Sequence, residues 1–323
     1  MPSETKKEIL KVSGVIGLCL LAFLLLQVGY SYLLAFLGIA RTEHYNLSCV
    51  IQVVYSILVV MLPFVFGSMA IRKLQKRSPD YLRLNKPTSW RYFGMAIAIS
   101  FMALILLNYL SGALTLFLSR HGITFDAAPD FGVPKNVSGY FFLLLADVLV
   151  PALAEEYVCR GVILQSLRKY GDSAAIFISA LFFALMHGNM SQAPFAFFLG
   201  IVIGRMVVLT ESLWTGIAIH VVNNLYAVVM LILNQTVSTV VLTAVMIILD
   251  TLIIIAGLIA LIWLGAYYQE LGPDKLYSPG GRLPAGRRYY RHLAELYTLI
   301  SPPTLAAVVY FLVKLFGSIH TGG

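Results

Sequence analysis

The chain has 323 residues, of which 59% are hydrophobic and 12% are charged, and its formal net charge is +8. Soluble globular domains contain about 25% charged residues, so this composition excludes a soluble protein as well as a disordered or collagen-like chain. The three cysteines are scattered along the chain, which argues against a disulfide framework and against a zinc ribbon.

Eight apolar segments are long enough, or nearly so, to cross about 30 Å of hydrocarbon. In chain order they cover residues 12–39, 48–71, 92–118, 137–167, 173–187, 193–209, 212–234 and 241–267. The fifth and sixth are short, and the first is longer than the roughly 7–15 apolar residues of a signal peptide. We therefore predict an all-α fold, a polytopic membrane protein with a bundle of about eight transmembrane helices and a retained first helix.

The positions of lysine and arginine predict the orientation of these helices. If the N-terminus is cytoplasmic, eighteen of the 23 basic residues fall in cytoplasmic segments and three fall outside, namely Arg41, Arg120 and Lys135. Because positive charge accumulates in cytoplasmic loops, both termini are predicted to be cytoplasmic. The net charge then needs no nucleic-acid partner. Two basic residues are left over, Lys314 near the C-terminus and Arg160 inside the fourth segment, and Arg160 is the one that needs an explanation.

The chain changes character after the eighth segment. Residues 271–291 are rich in glycine, proline and basic residues, which predicts a cytoplasmic linker. Residues 304–319 form a short apolar run with one lysine, which we expect to lie in the membrane interface, with a ninth span as the alternative. The predicted organisation is 1–136 for helices one to three, 137–234 for a core of helices four to seven, and 235–323 for the eighth helix, the linker and a short C-terminal helix.

Ionisable side chains inside the apolar segments are the strongest functional signal, since each disfavours membrane insertion by about 2.5–3.5 kcal/mol. They cluster in the fourth, fifth and seventh segments. The side chains concerned are Glu155, Glu156, Arg160, His187 and His220, with Asn223 and Asn224 one turn further on. Asp147 and Asp250 are two further acids, in the fourth and eighth segments, to which the sequence assigns no specific role.

Helical spacing separates the two glutamates. Residues four apart share a helix face, so Arg160 is expected to form a structural ion pair with Glu156. Glu155 lies about 140° from Arg160 around the helix, which leaves its carboxylate without a cation and free to face a neighbouring helix. An unpaired carboxylate inside a membrane protein is a candidate general base.

Distances along the helices bring four side chains to a similar depth. Glu155 and His187 are 13 and 14 residues from a predicted hairpin at 168–173, or about 20 Å at 1.5 Å per residue. His220 and Asn224 lie about 14 and 20 Å from the start of the seventh segment, on the same side. These two also share a helix face. The four side chains are therefore predicted to converge.

Such a set of side chains suits the hydrolysis of an amide. A carboxylate and an imidazole can deprotonate water for attack on a carbonyl carbon, and a second imidazole with an amide can stabilise the oxyanion that forms. No serine or cysteine nucleophile is needed. The sequence favours a glutamate-dependent peptidase with the candidate catalytic residues Glu155, His187, His220, Asn224 and Glu156.

The same residues resemble the motifs of a known family. Glu155 and Glu156 with Arg160 fit EExxxR, Phe183 with His187 fits FxxxH, and His220 with Asn224 fits HxxxN. In this order the motifs resemble those of type II CAAX prenyl endopeptidases, also called the CPBP group of CAAX proteases and bacteriocin-processing proteins. The resemblance covers about residues 137–234.

The resemblance implies an eight-helix intramembrane bundle with a cavity open toward the cytosol. It implies that Glu155 activates water with His187, and that His220 and Asn224 form the oxyanion site. Eukaryotic relatives remove three residues after a prenylated cysteine, whereas many bacterial relatives look like self-protection proteins. We expect a multi-pass protein of the cell membrane that contacts lipid and a membrane-associated or prenylated peptide, with no cofactor, metal or nucleic acid.

Alternatives from other classes remain. A non-catalytic membrane binder, such as a bacteriocin-immunity protein, would hold a peptide in the same cavity. A zinc peptidase would use Glu155, His187 and His220 as ligands, although the sequence has no HExxH motif. An aspartyl protease would pair Asp147 with Asp250, and neither lies in a GxGD context. Of the two adjacent asparagines, the spacing favours Asn224 as the one that faces the cavity.

Overall fold

The structure of the protein, a computed structural model, describes residues 3–38, 44–126, 132–271 and 297–321. Each of the eight predicted segments coincides with a helix, and a further helix follows near the C-terminus. The helices are α1 Ser3–Phe36, α2 Tyr45–Gln75, α3 Trp90–Arg120, α4 Val137–Tyr170, α5 Asp172–His187, α6 Ala193–Thr210, α7 Leu213–Thr236, α8 Thr239–Leu271 and α9 Pro302–Gly317. Most of the linker predicted at 271–291 lies outside the described residues, as does Arg41.

Over the described residues, seven helices are long and apolar enough to cross a membrane. The other two, α5 and α9, have 16 residues each, or about 24 Å. The predicted all-α polytopic membrane fold is confirmed. The structure adds a short 3-10 helix at Pro79–Leu82 and an antiparallel pair of short strands, which the sequence did not predict. The strands are β1 Ile123–Phe125, which follows α3, and β2 Ile319–Thr321, which follows α9.

Two long helices widen into π-helical turns shortly before a proline. In α2 the wide turn is Ser56–Met61, ahead of Pro63, and in α4 it is Leu144–Leu149, ahead of Pro151. Proline has no N–H to donate, and its ring collides with the carbonyl group one turn earlier. A wide turn accommodates both effects without ending the helix.

The helix α4 widens a second time at Tyr157–Leu164. The segment Val150–Glu156 between the two wide turns keeps α-helical geometry and ends in the two glutamates. Within the second wide turn, a Cβ added at Gly161 would lie 3.3 Å from the side chain of Leu213. The absence of a side chain at Gly161 therefore lets α7 pack closely against α4.

The helices α4 and α5 lie at the centre of the bundle. Their buried side chains form one hydrophobic core with α1, α2, α6 and α9, whereas α3, α6, α7 and α8 share a second core. Gly200 of α6 packs against Ala180 of α5, where an added Cβ would lie 3.0 Å from the Ala180 Cβ. Small residues at such contacts allow membrane helices to approach closely.

Ion pairs connect neighbouring helices at the end of the bundle where α4 meets α5. Arg168 donates to both carboxylate oxygens of Glu211 at 2.9 and 2.7 Å, and to Asp172 at 2.9 Å. Arg83 lies 3.3 Å from the same glutamate. Glu211 has a φ of 53°, at the turn between α6 and α7. The starts of α5 and α7 are therefore held together, and this fixes the depth of their polar side chains.

The C-terminal helix α9 packs lengthwise against α1. Thr304 donates to the carbonyl oxygen of Ser13 at 2.8 Å, and Phe311 stacks on Phe23 with ring centroids 6.2 Å apart. The contacts occur in the same order along both helices, so the two run parallel. We expected residues 304–319 to rest on the membrane interface. Instead, one apolar face of α9, including Ala307 and Phe311, is buried in the bundle.

Candidate active site

A fully buried ion pair lies in the middle of α4. Arg160 Nη1 donates to Glu156 Oε1 at 2.6 Å, and both side chains are 0% exposed. Arg160 Nη2 donates to the carbonyl oxygen of Gly200 on α6 at 3.2 Å. The guanidinium carbon also lies 4.4 Å from the ring centroid of Phe183 on α5, a cation–π contact. One arginine thus connects three helices.

Glu156 has a second partner that the sequence did not indicate. Nδ1 of His220, on α7, lies 2.9 Å from Glu156 Oε1. An ionised carboxylate can only accept, so Nδ1 carries the proton of this hydrogen bond. Gly216 makes room for the carboxylate, because an added Cβ there would lie 2.7 Å from Glu156 Oε2. The bond between α4 and α7 depends on the close packing of these two helices.

Glu155 differs from its neighbour in exposure and in partners. Its side chain is 27% exposed, and Oε2 lies 3.8 Å from Nε2 of His220. That separation is longer than a hydrogen bond. His220 therefore stands between the two glutamates, bonded to Glu156 through one ring nitrogen and facing Glu155 with the other.

Glu155 and His187 line the same small cavity. Its volume is about 80 Å³, and its walls come from α1, α2, α4 and α5. The lining residues are Phe23, Tyr55, Val60, Glu155, Cys159, Phe183, Met186 and His187. A water molecule needs about 10–15 Å³ of such space and polar partners. The cavity can therefore hold water between a carboxylate and an imidazole.

One ring nitrogen of His187 forms a hydrogen bond within the last turn of its own helix. Nδ1 lies 2.7 Å from the carbonyl oxygen of Phe183. Since a carbonyl oxygen accepts, Nδ1 is the donor, and in the neutral ring Nε2 remains an acceptor. Gly188 follows with a φ of +68°, the conformation in which glycine commonly ends a helix. The helix end thus fixes the tautomer of His187.

Phe183 joins these polar side chains into one group. Its ring centroid is 4.9 Å from that of His187 and 5.6 Å from that of His220, and both contacts are edge to face. We term Glu155, Glu156, Arg160, Phe183, His187 and His220 the glutamate cluster. In the sequence, Phe183 is the first residue of the FxxxH motif. Because Phe183 precedes His187 by four residues, the two share a helix face, and this spacing predicts that Phe183 lies beside the site.

The two asparagines of α7 bond to each other. Asn223 Nδ2 donates to Asn224 Oδ1 at 2.8 Å. Asn224 follows His220 by four residues and shares its helix face, whereas Asn223 lines a second cavity. Within the described part of the chain, the side-chain hydrogen bond of Asn224 goes to Asn223 and not to the glutamate cluster. The structure thus brings three of the four predicted side chains together and leaves Asn224 one turn away.

The sequence did not indicate that α1 and α2 contribute to the site. Phe23, Tyr55 and Val60 form part of the cavity wall, and the Tyr55 hydroxyl accepts a hydrogen bond from Gln27 of α1 at 3.0 Å. No local pattern marks these residues. They become neighbours of Glu155 only because α1 and α2 pack against α4.

Among the described residues, the arrangements that the two other hydrolytic alternatives require are not present. Over the described residues, no three His, Cys, Asp or Glu side chains are grouped as ligands of a metal ion. Asp147 lies on α4, eight residues before Glu155. Asp250 lies on α8 and accepts hydrogen bonds from Tyr109 and Tyr226. It belongs to the second cavity, not to the glutamate cluster.

Comparison with known families finds one match. Residues 137–226 match the family model described as Rce1-like, type II CAAX prenyl endopeptidase. This segment extends from the start of α4 into α7 and contains the whole glutamate cluster and both asparagines. No curated protein and no solved structure matches the chain. The resemblance inferred from the motifs is confirmed over these residues, and the family indicates CAAX-type intramembrane protease activity.

Proposed function

We propose that the chain is a glutamate-dependent intramembrane endopeptidase that cleaves a membrane-associated or prenylated peptide near its C-terminus. The observation that carries this proposal is the difference between two adjacent glutamates. Glu156 is sealed inside the bundle and bonded to Arg160 and His220. Glu155 is partly exposed and shares a cavity with His187. Only Glu155 can meet a substrate and a water molecule at once.

In the proposed reaction, a water molecule lies between Glu155 and His187. The water oxygen bonds to the carbonyl carbon of the peptide while Glu155 takes a proton from the water. The carbonyl π electrons move to the carbonyl oxygen. The electron pair on that oxygen then re-forms the C=O bond as the C–N bond breaks, and Glu155 passes the proton to the leaving nitrogen. Nε2 of His187 orients the water by accepting a hydrogen bond from its second hydrogen. The products are a carboxylic acid and an amine.

The oxyanion is proposed to be stabilised by His220 and Asn224. Since Nδ1 of His220 is bonded to Glu156, only Nε2 can reach the substrate. A ring that donates from both nitrogens carries two protons, so this role requires the imidazolium form of His220. Glu156 and Arg160 are positioning residues in this scheme, because they orient His220 and touch no reacting atom.

The proposal includes the arrangement of the whole chain in the cell membrane. Residues 137–234 are the catalytic core, residues 1–136 provide the helices that wall its cavity, and residues 235–323 contain α8 and α9. The N-terminus faces the cytoplasm, as the distribution of basic residues predicts. The prediction for the C-terminus changes, because β2 pairs with β1 at the far end of α3 and α9 runs parallel to α1, so the C-terminal strand lies on the opposite side. The partners are membrane lipid and the peptide substrate.

The test is mass spectrometry of membrane and secreted peptides from cells that express the wild type or Glu155→Gln. Glutamine keeps the size of the side chain but cannot take a proton, so peptides cut at one type of bond are expected with the wild type alone. Asp147→Asn is the matched control, since it removes another carboxylate from α4 and should leave the peptides unchanged. Identical peptides from the wild type and Glu155→Gln, with cellular function retained, would favour a non-catalytic binder. Cleavage abolished by a metal chelator would favour the zinc peptidase.

A further inference from the structure

A second cavity with polar groups lies between α3, α6, α7 and α8. Its volume is about 420 Å³, within the range of about 300–1,000 Å³ that is usual for ligand pockets. Its apolar wall consists of Ile105, Phe195, Ala227, Met230 and Met246. Its polar wall consists of Asn108, Tyr109, Asn223, Tyr226 and Asp250. The candidate active site uses none of these side chains except through the bond between Asn223 and Asn224.

The carboxylate of Asp250 is the charged group of this cavity. It is 4% exposed. Tyr109 donates to its Oδ2 at 2.7 Å, and Tyr226 donates to its Oδ1 at 2.8 Å. Both oxygens accept, as they do in an ionised carboxylate, and each keeps a further lone pair. We term Asp250, Tyr109 and Tyr226 the aspartate cluster.

The aspartate cluster has no positive charge of its own. Within the part of the chain that the structure describes, the side-chain partners of Asp250 are the two tyrosine hydroxyls, and both are neutral. A carboxylate at membrane depth normally pairs with a cation, because a lone charge is unfavourable there. The open cavity beside Asp250 offers room for a cation that comes from a ligand.

The position of the cluster keeps bulk ions away from it. Tyr109 lies 11 residues before the end of α3, Tyr226 lies 10 residues before the end of α7, and Asp250 lies 11 residues after the start of α8. At 1.5 Å per residue, each is about 15–17 Å from its helix end. An organic cation with an apolar carrier suits this depth better than a hydrated metal ion.

The walls of the cavity fit the same ligand. The rings of Phe195, Tyr109 and Tyr226 line it, and aromatic rings next to a carboxylate favour ammonium and guanidinium groups through cation–π attraction. Met230 and Met246 are flexible apolar side chains that can adapt to the methylene groups of a long side chain.

The cavity and the glutamate cluster share the helix α7. Asn223 lines the cavity, and it follows His220 by three residues. The two side chains are therefore about 60° apart around the helix and about 4.5 Å apart along its axis. An extended peptide advances about 3.3 Å per residue. A side chain within about three residues of the cleaved bond can reach the cavity.

We propose that this cavity binds the ammonium or guanidinium group of a lysine or arginine in the peptide substrate, within three residues of the cleaved bond. The assignment of the cation to a peptide rests on the proposed function. The cation site itself rests on the aspartate cluster and its cavity. The two parts are therefore tested by different measurements.

The first measurement needs no catalysis. Binding of benzylammonium and of benzyl alcohol is measured on the purified full chain in lipid nanodiscs, with Glu155→Gln as the background. We expect benzylammonium to bind at least about tenfold more tightly than the neutral alcohol. Asp250→Asn should abolish this preference, and Asp147→Asn, the matched control, should keep it. Equal binding of the two probes, or a preference that survives in a folded Asp250→Asn, would overturn the cation site.

A second variant covers the case in which Asp250→Asn does not fold. Ala227→Leu places extra atoms in the cavity and leaves the carboxylate with both tyrosine bonds. It should reduce benzylammonium binding at least tenfold while the melting temperature stays near that of the wild type. Undiminished binding in this variant would overturn the location of the site.

The second measurement identifies the carrier of the cation. Peptides released by wild-type and Asp250→Asn cells are sequenced by mass spectrometry, and a lysine or arginine is expected at one fixed position near the cut. In Asp250→Asn, the ratio of basic to neutral residues at that position should fall about tenfold. Wild-type products without such a preference would overturn the peptide assignment. So would benzylammonium binding that phosphatidylethanolamine blocks and phosphatidylglycerol does not, since a lipid ammonium would then occupy the site.

A failure of the proposed function gives a different result. If wild-type and Glu155→Gln cells release the same peptides, both the peptidase and the peptide assignment are wrong. The preference for benzylammonium, and its loss in Asp250→Asn, would still be observed.

Discussion

Glu156 and Asp250 are both buried carboxylates, at 0% and 4% exposure, but they are held in different ways. Glu156 in the glutamate cluster has a guanidinium and an imidazole as partners. Asp250 in the aspartate cluster has two neutral hydroxyls. A carboxylate that is paired with an internal cation needs no cation from a ligand, and the pair stabilises the bundle. A carboxylate whose partners in the described structure are hydroxyls can accept a cation from a ligand.

The same distinction applies within the glutamate cluster. Glu155 and Glu156 are adjacent in sequence, yet only Glu156 contacts Arg160. Glu155 lines the cavity that also contains His187. Substitution of Glu155 by glutamine should therefore lower the rate of peptide cleavage, whereas substitution of Glu156 by glutamine should lower the stability of the bundle.

The largest expected effect is on catalysis in Glu155→Gln. Loss of a general base typically lowers a rate by about 10²–10⁴-fold, so we expect a decrease of about 10³-fold in peptide cleavage. The melting temperature should change little, because the side chain is partly exposed and its 3.8 Å contact with His220 is too long for a hydrogen bond. The checks are product formation by mass spectrometry and thermal unfolding in detergent. A rate within tenfold of the wild type would refute the role of Glu155.

The next effect is on stability in Glu156→Gln. This change leaves Arg160 charged, buried and without its carboxylate, and breaking a buried pair costs about 3–5 kcal/mol. We expect a large decrease in the free energy of unfolding, measured by denaturation in mixed micelles. Adding Arg160→Met to Glu156→Gln removes the second charge and should recover most of the loss. A stable single variant, or no recovery in the double variant, would show that the pair does not stabilise the bundle.

A smaller effect is expected where α7 approaches Glu156. In Gly216→Ala, the new methyl group would lie 2.7 Å from Glu156 Oε2 and 2.8 Å from a methyl carbon of Val207. Overpacking of this kind costs about 1–3 kcal/mol. Gly265→Ala on α8 is the matched control, since an added Cβ there meets nothing within 4 Å. Thermal unfolding should show a lower melting temperature for Gly216→Ala alone, and equal values would contradict the close contact.

The smallest effects concern the hydroxyls of the aspartate cluster. Tyr226→Phe removes one donor to Asp250 and should lower stability by about 1 kcal/mol. Tyr109→Phe should have less effect, because Tyr109 is 55% exposed and about half of its side chain packs against no other part of the protein. Thermal unfolding of the two variants side by side tests the order. A larger decrease of the melting temperature in Tyr109→Phe would mean that the hydrogen bond from Tyr109 on α3 contributes more to the position of Asp250 than the one from Tyr226.

Much of the fold could be predicted from the sequence because the membrane imposes a simple rule. A segment of about 20 apolar residues must satisfy its own backbone hydrogen bonds in lipid, and a helix does so. All eight predicted segments are helices for this reason. The two wide turns before Pro63 and Pro151 follow from local chemistry as well, since proline cannot donate to the helical ladder. The wide turn at Tyr157–Leu164 contains no proline, and no local signal marks it.

The candidate site could be predicted only in part. The contact of Arg160 with Glu156 depends on spacing within one helix, and an i,i+4 pair can be read from the sequence. The bond from His220 to Glu156 depends on how closely α7 packs on α4, and this in turn depends on Gly161 and Gly216. Such a contact joins residues that are distant in the chain, so helical periodicity contains no information about it.

The helices, their order and the polar residues inside them can be predicted from hydrophobic length and helical spacing, which are local properties. The partners of each buried charge depend on the tertiary structure. It gave Glu156 the imidazole of His220, placed the walls of α1 and α2 around Glu155, and enclosed Asp250 with two tyrosines. The physical reason is that a charge in lipid is stabilised by whatever group packing brings within about 3 Å.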